Sequence, residues 1–305
     1  MTIRTPLQPP VWTLAGLSVT DFLRRLLSAI NVNELSGYSA QLAYYFFLSL
    51  FPSLLFLTTL LAYLPIPHRQ NILLGILAHA LPKQALVLAQ ETLTELLHQH
   101  KSGLLSFGVL FALYTASNAV TAIGAGFNRV YGVNESRAFW HVWGIALALV
   151  LGLTGLLLIA LILFFFGPML IELLIDQFGW GLFPIIIEII RWPVIIFTLA
   201  LSIALIHYAT PNVHQHWRWL TPGSVFTVAG WLATSEIFAF YVNHFGSYNK
   251  TYGSIGAVIV LLTWTYLGGF ILFVGGTINS IITQHNRDIE TNTKTPTEAP
   301  SPPEP

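Results

Sequence analysis

Long apolar runs, not a two- or four-residue alternation, dominate this chain. Six of them stand out, at roughly 42–64, 104–124, 144–166, 184–208, 221–243 and 255–282. A membrane-spanning helix needs about 20 mostly apolar residues. The pattern therefore predicts an all-α, polytopic membrane helix bundle with six transmembrane helices. The fourth run is interrupted by Glu188, Arg191 and Pro193, and the fifth by Glu236. The sixth is long enough to tilt or to extend past the bilayer.

Shorter amphipathic stretches flank these runs. In VTDFLRRLLSAI (19–30), Phe22, Leu23, Leu26, Leu27 and Ile30 share one helical face, with Arg24 and Arg25 on the other. Such a helix either lies in the headgroup layer or packs under the bundle. Residues 65–103 form the longest loop, with two amphipathic stretches separated by Pro82. They predict a helical cap over one mouth of the bundle. From about 291 the chain turns to Pro, Thr and Glu, the composition of a disordered tail. The expected organisation is an N-terminal segment 1–38, a six-span domain 39–285 and a tail 286–305.

Composition supports the membrane assignment: 54% of the 305 residues are apolar and 9% charged, against about 25% charged in soluble domains. The formal net charge is zero and there is no cysteine. That leaves no global basic surface for nucleic acid, no disulfide frame and no thiolate nucleophile. The first 40 residues lack the features of a cleavable signal peptide. Arg4, Arg24, Arg25, Arg129, Arg137, Arg218 and Arg287 fall on the terminus-bearing side, and Arg69, Lys83, Lys101 and Lys250 on the other. The bias predicts cytoplasmic termini and an outer cap.

Glu236 lies about 15 residues, ~22 Å, into the fifth span, and Arg191 about 7 residues, ~10 Å, into the antiparallel fourth. Both then sit in the outer half of the bilayer on consecutive helices. An embedded charge costs about 2.5–3.5 kcal/mol and normally turns to the protein. Glu236 is therefore expected to point inward and pair with Arg191, with Glu188 competing for the same arginine and Asn243 nearby. Asn118, with Tyr114, Thr115, Ser117 and Thr121, gives the second span a polar middle that either lines a wet cavity or bonds helices together. Glu236, Arg191, Asn118, Glu188 and Asn243 form the candidate intramembrane polar site. Pro52 interrupts the first span.

The repeats Gly144/Ala148/Gly152 and Gly268-Gly269/Gly275-Gly276 suit close helix contacts. HQH occurs at 98–100 and 214–216, on opposite sides of the membrane by this topology, so the two cannot join in one metal site. Trp217 and Trp219 beside Arg218 suit an interface anchor. Nothing calls for a cofactor.

Four motifs resemble the BrkB/YihY family of bacterial membrane proteins. They are SAQLAYYFFLSLFPSLLFL (39–57), NRVYGVNESRAFW (128–140), YATPNVHQHWRWLTPGSVFTVAGW (208–231) and YGSIGAVIVLLTWTYLGGFILFVGGTINS (252–280). In the last, Tyr252, Gly253, Trp264, Tyr266, Gly275 and Asn279 match. The resemblance implies six spans with cytoplasmic termini and supplies no catalytic set. Family members have been labelled both as a virulence factor and as a tRNA-processing ribonuclease. Glu135, His141, His214 and His216 have no ligand-like spacing for a metal nuclease, so no enzyme and no nucleic-acid partner are expected. The expectation is a transporter of a small solute or amphipathic envelope molecule, its partners the lipid bilayer and that solute or lipid. The alternative is a non-transporting envelope scaffold acting through partners or lipids.

Overall fold

In the computed structural model, residues 17–63, 86, 102–178, 183–213, 215, 217–245 and 254–294 are described. Among them the chain is all-helical. Helix α1 is Val19–Val32, α2 Leu35–Tyr63, α3 Ser102–Tyr131, α4 Phe139–Phe178, α5 Phe183–Ala209, α6 Pro222–Phe245 and α7 Ser254–Lys294. In hydrocarbon a backbone must bond to itself, which makes the helix the natural state of such runs. The Ser and Thr residues within them do not break the pattern, because their hydroxyls return to a carbonyl one turn back. Thr115 donates to Phe111 O at 2.8 Å, Thr121 to Ser117 O at 2.9 Å and Thr198 to Val194 O at 2.8 Å.

Helices α2 to α7 pack as a closed ring in chain order. Each contacts the next, and α7 returns to α2 and also touches α3. Among the described residues, five stretches are long and apolar enough to cross a membrane: Phe107–Tyr131, Phe139–Ala160, Trp192–Ala209, Pro222–Val242 and Ile255–Asn286. The expected loop at 167–183 is mostly helix, since α4 continues to Phe178. The expected tail starts later as well, since α7 runs to Lys294. The cap expected at 65–103 lies, apart from the start of α3, almost wholly outside the described residues.

The tightest packing joins α3 to α7. A Cβ on Gly126 would collide with the Phe273 ring, and one on Gly276 with the Phe127 ring. Each phenylalanine thus lies on the other helix's glycine, their rings edge-on at 5.5 Å. Around them Leu35, Ile123, Val130, Leu272 and Ile278 complete a core. Helix α1 lies across it through Phe22, Leu26 and Ile30. Leu23 and Leu27, with Val19, stay exposed. The single apolar face expected for α1 is therefore split, half of it on protein and half turned outward.

The glycine repeats also divide. Gly268 meets Trp231 and Gly269 meets Leu42 and Ser39, as packing predicts. In α4 a Cβ on Gly144 or Gly152 would meet nothing within 4 Å. That repeat makes no close contact here, because both glycines face outward.

Candidate functional site: a polar junction at one end of the bundle

Three of the four motifs converge where α3 and α5 end and α4 and α6 begin. Helix α3 stops in a glycine-dependent turn. Gly132 has φ +66, and Val133 N donates to Asn128 O at 2.9 Å while Gly132 N donates to Arg129 O at 3.1 Å. A left-handed residue is needed there, which glycine adopts without strain. The turn sends residues 133–138 back over the helix end.

Glu135 is the acceptor at the centre. Its carboxylate takes Arg137 Nε at 2.8 Å, Arg137 Nη2 at 2.7 Å, the Arg137 backbone N at 3.0 Å and Asn128 Nδ2 at 2.9 Å. The Arg137 side-chain hydrogen bonds are the main reason its pKa is lowered from 4.5 to about 2, with burial opposing them. Arg137 Nη2 also donates to the Thr210 carbonyl at 2.9 Å, across 73 residues of sequence. Asn212 closes the span from the other side. Its N–H donates to Asn128 Oδ1 at 2.6 Å, and its Nδ2 to Asn134 O and Ser136 Oγ, both at 2.9 Å. The α3–α4 loop and the α5–α6 loop are thus bolted by side chains, with Asn128 buried at the pivot.

A second node lies beside it. Gly223 N donates to Asn279 Oδ1 at 2.9 Å. A backbone N–H can only donate, so this bond orients the Asn279 amide. Its Nδ2 then donates to Thr221 Oγ1 at 3.0 Å and reaches His207 Nδ1 at 3.4 Å. Nδ1 acts as acceptor, which leaves the proton on Nε2. Nε2 is buried, and the imidazole also meets the Leu272 backbone carbonyl. Phe127 stands edge-on to the imidazole at 5.1 Å, joining this node to the α3–α7 core. A Cβ on Gly223 would strike the Gly275 carbonyl, and one on Gly275 would strike Thr227 Oγ1, so α6 and α7 touch backbone to backbone here.

A cleft of about 10 Å³ lies between Arg137, Thr210 and the α3–α4 wall of Val120, Gly124 and Ala146, room for one water at most. Phe139, Trp140 and Trp219 are exposed around this end, where aromatic residues anchor to headgroups. Among the described residues no three His, Asp or Glu side chains come together to hold a metal.

Of the residues expected to form the intramembrane site, only Glu236 and Asn118 have described side chains. Glu236 is exposed on α6 and does not point inward. Among the described residues it has neither a hydrogen bond nor an ion pair. The reason is its register. Ser224, Thr227, Phe238 and Val242 are the buried seam of α6, and Glu236 lies on the opposite side of the helix. The side chains of Arg191, Glu188 and Asn243 lie outside the described residues. Asn118 is half-buried on α3, a helix separated from α6 in the ring. Thr115 and Thr121 are satisfied within α3, whereas Ser117 Oγ is buried without a partner. Asn128, Arg137, Asn212 and His207 had no part in the expected site. Asn128 and Arg137 stood out only as motif positions. The signal missed was that one motif carries an Asn, a Glu and an Arg within 10 residues, beside a span end.

A family model described as "Virulence factor BrkB" matches residues 26–301. The "Putative ribonuclease-like protein YfkH" of Bacillus subtilis (strain 168) is 38% identical over 263 residues, 86% of this chain and 95% of that protein. The "UPF0761 membrane protein PSHAa0171" of Pseudoalteromonas translucida (strain TAC 125) is 26% identical over 86 residues, 28% of this chain and 29% of its own length. The "UPF0761 membrane protein" of Tolumonas auensis (strain DSM 9187 / NBRC 110442 / TA 4) is 26% identical over 74 residues, 24% of each. No solved structure matches.

Proposed function

Since the chain belongs to the BrkB family of multi-pass membrane proteins, we propose that it moves a small solute or amphipathic envelope molecule across the bacterial inner membrane. In this reading both termini are cytoplasmic, there is no enzymatic step, and the polar junction is the cytoplasmic closure of the ring. The observation that carries the proposal is the bolt from Arg137 to Thr210 O and from Asn212 to Asn128. Each bond has a side chain on at least one end, so the junction can open without unwinding a helix, while α4 and α5 stay packed as the hinge. The unpartnered Ser117 Oγ supplies a polar contact to a guest once the ring opens. The motive force comes from a gradient or from another protein, because the chain carries no nucleotide-binding motif.

The test is reconstitution in liposomes containing fluorescent phosphatidylglycerol, with dithionite added outside. Transport predicts that wild-type protein exposes inner-leaflet lipid faster than empty vesicles do. Arg137→Ala should change that rate while the protein stays folded. Equal rates with and without protein would remove the lipid version of the proposal.

A second reading, a non-transporting envelope scaffold, is favoured by the single-water cleft and by the exposed stripe on α1. It predicts no flux of lipid or solute. Its effects would be sensitive to changes in α1 and insensitive to changes in the bolt.

A further inference from the structure

Helix α6 has two unlike sides. Its buried seam meets α7: Trp231 lies against Gly268, and Ser235 accepts from Trp264 Nε1 at 3.3 Å. On the other side, Ala229, Ala233 and Glu236 follow one another at four and three residues, and all are exposed. Leu232 at 47% and Ile237 at 69% exposure flank them. Glu236 is 14 residues from the start of α6 at Pro222, or ~21 Å along the axis. That places it within the hydrocarbon layer, which is about 30 Å thick. Exposed there, the carboxyl has no hydrogen-bond partner among the described residues, and in hydrocarbon that is costly.

We propose that this face of α6 is the contact between two copies of the chain, closed by a hydrogen bond between their Glu236 carboxyls. The choice of a second copy follows from symmetry and chemistry. All copies enter the membrane with the same orientation, so a two-fold axis runs along the membrane normal and sets identical residues at identical depth. One Glu236 then faces the other. A carboxylic acid carries both a donor and an acceptor, so the group is complementary to itself, which an arginine or lysine is not. The surrounding residues fit the same arrangement. Ala229 and Ala233 let two backbones approach, and Leu232 and Ile237 supply apolar contact at the rim.

This contact is independent of the polar junction, which uses the first turns of α6 and its opposite side. It is also independent of whether the protein transports anything.

The chain has no cysteine, so single cysteines can report the interface directly. Ala233→Cys, Ala229→Cys and, as a control on the outward side of α4, Gly152→Cys would each be oxidised with copper phenanthroline in liposomes at low protein density. The expected result is a disulfide-linked dimer from Ala233→Cys and Ala229→Cys, with several-fold less from Gly152→Cys. Subunit counting by single-molecule photobleaching is the second measurement. Glu236→Gln, which keeps a donor and an acceptor, should retain the dimer, and Glu236→Leu should weaken it about tenfold. Unchanged melting temperatures in both variants would separate this effect from misfolding. A monomer by photobleaching, cross-linking strongest at Gly152, or an undiminished Glu236→Leu dimer would each overturn the proposal.

Discussion

The first turn of α6 and its middle are about 20 Å apart along one helix, yet they are held in opposite ways. At the start, Gly223 has its N–H on Asn279 and its Cα against the Gly275 backbone. There Gly223, Ser224 and Thr227 each have a specific hydrogen-bond partner. In the middle, Glu236 and its alanine neighbours are exposed, and Glu236 has no partner among the described residues. The difference shows that a polar residue in a membrane span is not a site by virtue of being polar. The polar residues that organise this fold lie at span ends, where backbone donors and acceptors are already free for them. The polar residue deep in a span has no such partner among the described residues.

That contrast can be broken from either side. The largest effect is expected from Gly223→Ala. Its new methyl would meet the Gly275 carbonyl and Asn279, and overpacking of this kind costs about 3 kcal/mol. Melting in detergent should fall by many degrees, or the protein should fail to accumulate.

Arg137→Ala comes next. It removes the donors to Glu135 and Thr210 O, and a loss of about 1–2 kcal/mol is expected, since Glu135 is 34% exposed and partly screened. Arg137→Lys should recover only part of this, because an ammonium cannot reproduce the forked contact. Thermal unfolding of the three proteins side by side would show the order.

The pH dependence is subtler. The folded pKa of Glu135 is lowered from 4.5 to about 2. Its contribution is therefore complete above about pH 4.5 and is lost as pH falls towards 2. The melting difference between wild type and Glu135→Gln should be constant from pH 7 to 5 and shrink below 4. A difference that grows on acidification would contradict the pairing.

The smallest effects belong to the open faces. Gly152→Ala adds a methyl that meets nothing and should be neutral or stabilising by up to about 1 kcal/mol. Glu236→Gln should leave melting in detergent within about 0.5 kcal/mol of wild type.

The architecture was legible from the chain because apolar length is a coarse and robust signal. All-helical form and the general positions of the long helices came from it directly. The gap between the third and fourth apolar runs, 167–183, is mostly helix because α4 simply continues past the apolar run to Phe178. The motifs marked the right segments but not their geometry. Nothing in 128–140 alone says that Arg137 will reach a carbonyl 73 residues away. The failure at Glu236 was one of register. Depth along a helix can be counted, but which side faces the bundle depends on the packing of Phe238 and Val242 against Val260. An alanine-rich surround was compatible with either side. The two glycine repeats show the same gap: both suit close helix contacts by sequence, yet one is packed and one is open.

The bolt also sets a timetable. Asn128 and Asn212 are separated by 84 residues, which a ribosome adding about 5–20 residues per second takes on the order of ten seconds to supply. During that interval the turn after α3 exists with its partners not yet made, and an insertion chaperone or protease meets a loop with unspent donors and acceptors. Completion of the α5–α6 loop is then the event that seals the nascent protein. Variants that weaken the bolt should therefore show up first as shorter-lived newly made chains, before any change in the mature protein is measurable.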